Sequence, residues 1–122
     1  MKILIVDDSK AARMIIMRTL RQAGFGDHEF IEAGNGSEGI QQVRSQKFGM
    51  VLSDWNMPVM SGIEFLRALR AEGNETKFGF VVEVTEPGEH TRALALEEGA
   101  LFLVSKPWTP ERFRLALSPH VS

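Results

Sequence analysis

The 122-residue chain is 43% hydrophobic and 25% charged, which suits one soluble domain over residues 1–122 with a real core. A formal net charge of −2 argues against nucleic-acid binding, and the lack of cysteine removes disulfides, thiolate metal sites and cysteine catalysis. The apolar run Ile3–Val6 is too short for a secretory signal or a membrane span, so a cytoplasmic protein without membrane contact is expected.

"KILIV" (2–6) is a compact β-branched run that stops at Asp7-Asp8, and it reads as a buried strand. From Ser9 the spacing changes: Ala12, Ile15, Ile16, Leu20 and Ala23 recur at helical intervals, and Gly24 follows as a stop. "HEFIEA" (28–33) suits a short strand, and "SEGIQQVRSQ" (37–46) a helix with Ile40 and Val43 facing inward. "GMVLS" (49–53) is a third strand, ending at Asp54. Ser61 and Glu64 form a capping box that opens a helix whose stripe is Gly62, Phe65, Leu66 and Leu69.

"FGFVVEVT" (78–85) predicts a fourth strand and residues 89–98 a helix ended by Gly99. "LFLVS" (101–105) is the fifth strand, and Thr109-Pro110 opens a last helix carrying Phe113, Ala116 and Leu117. Strand and helix alternate five times, which implies an α/β fold with a parallel sheet covered on both faces. In such sheets ligands bind beyond the carboxyl ends of the strands, so the residues just after each strand are the ones to inspect.

Those residues are Asp7 and Asp8 after the first strand, Asp54 after the third, Thr85 closing the fourth and Lys106 after the fifth. Two carboxylates ~5 Å apart repel by roughly 3 kcal/mol at an effective dielectric of about 20. Either one holds a proton or a cation lies among them. Oxygen ligands without imidazole or thiolate select Mg²⁺, with Mn²⁺ or Ca²⁺ as alternatives. Adding a hydroxyl and an ammonium makes the set suitable for a phosphoryl group, and a carboxylate can itself be the nucleophile. Any one of these residues alone is more simply a cap, a turn residue or a solvated loop. Their joint placement at the strand ends is what favours chemistry.

"LIVDDS", "LSDWNMPVMSG", "VVEVTE" and "LVSKPW" follow one another in the order and spacing of a known family. Over its full length the chain resembles the receiver domain of two-component response regulators, and "SDWNMP" is especially similar to the single-domain chemotaxis receivers. The resemblance implies a flavodoxin-like (βα)5 fold with strand order 2-1-3-4-5. It implies Asp54 as phosphoacceptor for a histidine kinase or phosphotransfer protein, and Asp7, Asp8, Asp54 and the Asn56 carbonyl as the Mg²⁺ site. Thr85 and Lys106 would bind the phosphoryl group, and the Lys106–Pro107 bond is expected to be cis. The change would be read by a protein effector on the surface of the fourth helix, fifth strand and fifth helix.

Leu103 stands where the family usually has a Tyr or Phe, so the aromatic part of its switch is in doubt, with Trp108 the nearby aromatic. Glu86 replaces a small residue next to the phosphorylation site, where an acid would screen the pocket from anionic donors. Glu83 interrupts an apolar strand, and pairing with a cation or reaching solvent are both open to it. Two rivals remain. A phosphorylation-independent pseudo-receiver is one. The other is a metal-dependent phosphohydrolase, against which the D-x-D spacing is absent, since Trp55-Asn56 follow Asp54.

Overall fold

The computed structural model describes residues 1–121, and its single sheet has five parallel strands in the order 2-1-3-4-5. β1 (Lys2–Val6) lies between β2 (Glu29–Ala33) and β3 (Met50–Ser53), followed by β4 (Lys77–Val81) and β5 (Phe102–Val104). Helix α1 (Lys10–Leu20) runs on into a wider helical turn at Arg21–Phe25; α2 is Gly36–Ser45 and α3 Gly62–Ala71. α4 spans Glu89–Glu97 and α5 Pro110–Leu117. No helix among the described residues is long and apolar enough to cross a membrane.

The central strands are apolar at successive positions, not at alternate ones, because both faces of the sheet are covered. On one face Leu4, Val6, Val51, Phe78 and Phe80 pack with Ile40, Phe65, Leu66 and Leu69 from α2 and α3. On the other, Ile3, Ile5, Met50, Leu52 and Val81 meet Ile16 and Leu20 of α1 and Phe113 and Leu117 of α5. Ile15, at the same helical spacing in the sequence, is 41% exposed beside Met14 instead of joining this core.

The helix starts follow local chemistry. Ser9 accepts from the Ala12 amide, Asn35 from Glu38 and Thr109 from Arg112, and Ser61 with Glu64 completes a reciprocal capping box. Asn35 therefore caps α2, which begins one residue before the predicted 37. Gly99 turns the chain at φ 105°, a conformation open to glycine, and so stops α4.

β4 ends at Val81, four residues short of the predicted 85. Its partner β3 ends at Ser53, paired with Phe80, so beyond Val81 the chain has no neighbour on that side. Only the β5 side persists, with the Val82 amide donating to Val104 O (2.9 Å) and the Lys106 amide to Val84 O (3.2 Å). That shortening governs where Glu83, Val84 and Thr85 point.

Candidate functional site

Asp7 and Asp54 leave adjacent strands at the same level, fixed by parallel registry: the Asp54 amide donates to Val6 O (2.9 Å) and the Asp7 amide to Ala33 O (3.2 Å). Both side chains are buried, while Asp8 is exposed at the rim. Carboxylate oxygens of Asp7, Asp8 and Asp54 all lie within 4.8 Å of one another. Asp7 Oδ1 accepts from the Ser9 amide (2.9 Å), but its buried Oδ2 has no partner. An orphaned buried carboxylate oxygen beside two further carboxylates is what a hard divalent cation fits.

The electrostatics agree with that crowding. Burial, then the neighbouring Asp7 charge, pushes the Asp54 carboxyl up to about 7; the Trp55 amide opposes this, and Glu83 and Asp8 add to it. Asp7 is also raised, chiefly by burial, against the pull of the Ser9 amide. Asp54 Oδ1 accepts from the Trp55 amide (2.8 Å), a bond that Oδ2 does not share. Asp54 opens onto a cleft of about 280 Å³ lined also by Trp55, Asn56, Glu83, Glu86 and Pro87. Trp55 packs on Phe80 with ring centroids 4.8 Å apart and the rings tilted by 56°, and it shares the cleft lining with Asp54.

The structure gathers some of the residues singled out from the sequence and separates others. Asp7, Asp8 and Asp54 form one cluster, and Asn56 follows on the exposed cleft wall. Thr85 lies beyond the end of β4, is exposed, and does not line the cleft, although its neighbours Val84 and Glu86 do. The Lys106–Pro107 peptide bond is cis, as the resemblance implied, and Lys106 Nζ meets Glu83 Oε2 at 3.0 Å. Glu83 thus does both: it is exposed to solvent and pairs with a cation, one that follows β5 and belongs to no helix. Trp108 is half-buried and its indole N–H donates to Val82 O (3.0 Å), so it braces the end of β4. Leu103 lines a groove with Arg92, Arg112 and Leu115.

Arg13 carries a role that sequence reasoning missed. It donates to the Asp7 carbonyl and pairs with Glu32 at 2.9 Å, tying α1 and β2 to the acid corner. The only sequence signal was an arginine one helical turn beyond the cap Ser9.

The loop between β3 and α3 holds a strained residue. Val59 has φ 73° and is 85% exposed, in a tight turn where the Met60 amide donates to Pro58 O (2.8 Å). A β-branched side chain is disfavoured there. Val59→Gly should therefore raise stability by about 1 kcal/mol, the strain relieved exceeding the added chain entropy of glycine. A higher urea midpoint at unchanged m-value is the expected reading.

The model of the response regulator receiver domain matches residues 3–118. The probable chemotaxis protein CheY of Rhizobium etli is 34% identical over 116 residues, 95% of this chain and 88% of that one. The chemotaxis protein CheY1 of Helicobacter pylori is 35% identical over 112 residues, 91% of this chain and 89% of its own length. Among solved structures, the chemotaxis response regulator CheY4 of Vibrio cholerae superposes with a TM-score of 0.83 at 31% identity, covering 98% of both chains.

Proposed function

The chain belongs to the response regulator receiver domain family of two-component signalling, and from that premise we propose that Asp54 accepts a phosphoryl group from a protein phosphohistidine. The family is one of signalling proteins and not of conventional enzymes. We read residues 1–122 as one such domain. The observation that carries the reading is the buried Asp54 carboxyl at the mouth of a cleft, with Asp7 and Asp8 beside it.

In the proposed step Asp54 Oδ2 attacks phosphorus in line with the donor imidazole. An O–P bond forms as the N–P bond breaks, and the leaving imidazole nitrogen takes a proton. The Trp55 amide holds Oδ1, so the attacking oxygen keeps its orientation. Asp7, Asp8, Asp54 and the Asn56 carbonyl would hold Mg²⁺. Bound there, the ion would supply the charge neutralisation that carboxylates and phosphoryl oxygens both need. Lys106 would pair with a phosphoryl oxygen once it is released from Glu83. Thr85 would contribute its hydroxyl only after the 82–86 segment moves inward.

Output would pass to a protein partner on the face of α4, β5 and α5, where Leu96 and Leu115 are exposed beside the Arg92–Arg112 groove. One observation favours a second reading, a phosphorylation-independent interaction module: Lys106 is already engaged and Thr85 lies outside the cleft.

Acetyl phosphate with Mg²⁺ separates the two. The expected result is an added mass of one phosphoryl group on the native protein, lost with EDTA and absent in Asp54→Asn. Failure of the native protein to label with either acetyl phosphate or a phosphorylated kinase domain would favour the module.

A further inference from the structure

Lys106 has two holders in this structure. Its Nζ is 3.0 Å from Glu83 Oε2 and 4.9 Å from the centre of the Trp108 ring. Both holders are fixed by the backbone. The amides of Val82 and Lys106 donate across to Val104 O and Val84 O, setting Glu83 opposite the lysine, while Trp108 Nε1 donates to Val82 O. Glu83 also lines the cleft that Asp54 opens onto, whereas Lys106 does not, so the acid holds the lysine at the outer side of the cleft wall.

Glu83, two residues beyond the end of β4, has no packing role: it is exposed, and among the described residues its side chain pairs with the lysine alone. Nor does the pair add much stability. The Lys106 and Glu83 side chains keep 42% and 50% of their exposure, and pairs so solvated contribute about 0–1 kcal/mol. A hold of that size biases a side chain without trapping it. A phosphoryl group on Asp54 carries close to two negative charges at neutral pH and lies in a less solvated place. Such a group outcompetes a single exposed carboxylate.

We propose that Glu83 is a positioning residue that holds Lys106 off Asp54 and gives it up when Asp54 carries a phosphoryl group. The proposal rests on Asp54 being the phosphoacceptor. Lys106 then changes partner across the cleft mouth, and the Glu83–Lys106 pair sets a threshold that the phosphoryl group has to exceed.

The test is a double-mutant cycle on the folded chain, read by intrinsic fluorescence during titration with beryllofluoride and Mg²⁺. Trp55 in the cleft lining and Trp108 against Lys106 supply the signal, and Asp54→Asn gives the baseline. Glu83→Gln should lower the half-saturating concentration about two- to five-fold, the range for release from an exposed pair. Lys106→Met should raise it, and Glu83→Gln added to Lys106→Met should bring a clearly smaller gain, the part due to repulsion between Glu83 and an anion in the cleft it lines. Each variant is used where its urea midpoint matches its parent's.

A gain of equal size without Lys106 would mean that Glu83 merely repels anions, and it would overturn the proposal. A wild-type response that Glu83→Gln leaves unchanged would overturn the proposal alone. The absence of any Asp54-dependent response in the wild type would overturn the proposal together with the phosphoacceptor reading.

Discussion

In the presence of EDTA, Asp54→Asn should be more stable than the wild type at pH 8 by about 2–4 kcal/mol, and the advantage should vanish near pH 4. The sign follows from the direction of the shift. In the folded protein the Asp54 carboxyl is pushed up to about 7 from an ordinary value of 3.8, mainly by burial and by Asp7. The folded state therefore binds more protons than the unfolded chain between those values. Wild-type stability falls as pH rises through that window and levels off above it.

Asparagine is neutral throughout and keeps an oxygen for the Trp55 amide, so it escapes the penalty without losing the bond. Adding Mg²⁺ should shrink the gap at pH 8, because a cation among the carboxylates stabilises the charged form. Urea midpoints at pH 4, 6 and 8 with and without the ion would check all of this. Equal stabilities at pH 8 in EDTA would show that Asp54 is not strained by ionisation.

Gly62→Ala should lower stability by about 3 kcal/mol, close to 10 °C in Tm for a domain of this size. Gly62 is the first residue of α3 and lies directly behind the phosphoacceptor candidate. A Cβ there would fall on the Asp54 carbonyl oxygen and lie 2.8 Å from Phe80. The Gly62 amide is already committed to Trp55 O (2.9 Å), so the helix start cannot back away without breaking that bond. Gly73→Ala is the control: its Cβ would meet nothing within 4 Å, and only its φ of 79° is unfavourable. That should cost about 1 kcal/mol. Thermal melts by circular dichroism measure both. Equal losses would mean that a small shift of the α3 start relieves the contact with Asp54, since Gly62 itself has no left-handed φ.

The difference between these two glycines illustrates what a sequence conveys. "MSGIEFL" announces a helix start through Ser61 and Glu64, and that start is where the structure has it. Nothing in those letters says that Gly62 is pressed against the Asp54 carbonyl, a contact across a loop of seven residues. Likewise the stripe Ala12, Ile16 and Leu20 was legible from its spacing, but Ile15 shares the spacing and stays half-exposed. Periodicity defines a broad face, and the partner helix α5 decides which edge of that face is covered.

The acid corner was legible for a related reason. An abrupt change from apolar residues to Asp7-Asp8, and again to Asp54, marks the carboxyl ends of buried strands. In a parallel α/β sheet those ends come together. The fold class and strand order stand as the resemblance implied. The other half of the cleft was less legible. The run "FGFVVEVT" reads as strand to its last residue, since Val84 and Thr85 are good strand formers. Strand length, however, depends on a partner, and β3 runs out at Ser53.

By itself, then, the sequence determined which segments are strands and helices, that the sheet is parallel and covered on both faces, and that acids gather at its carboxyl edge. These are local or nearly local properties: apolar runs, caps, and the geometry of alternating units. The tertiary structure alone decided that Asp7 Oδ2 is buried without a partner, that Thr85 lies outside the cleft, and that Glu83 holds Lys106. Each of those depends on where one strand ends relative to its neighbour, a quantity set by pairing between distant segments and written in neither of them alone.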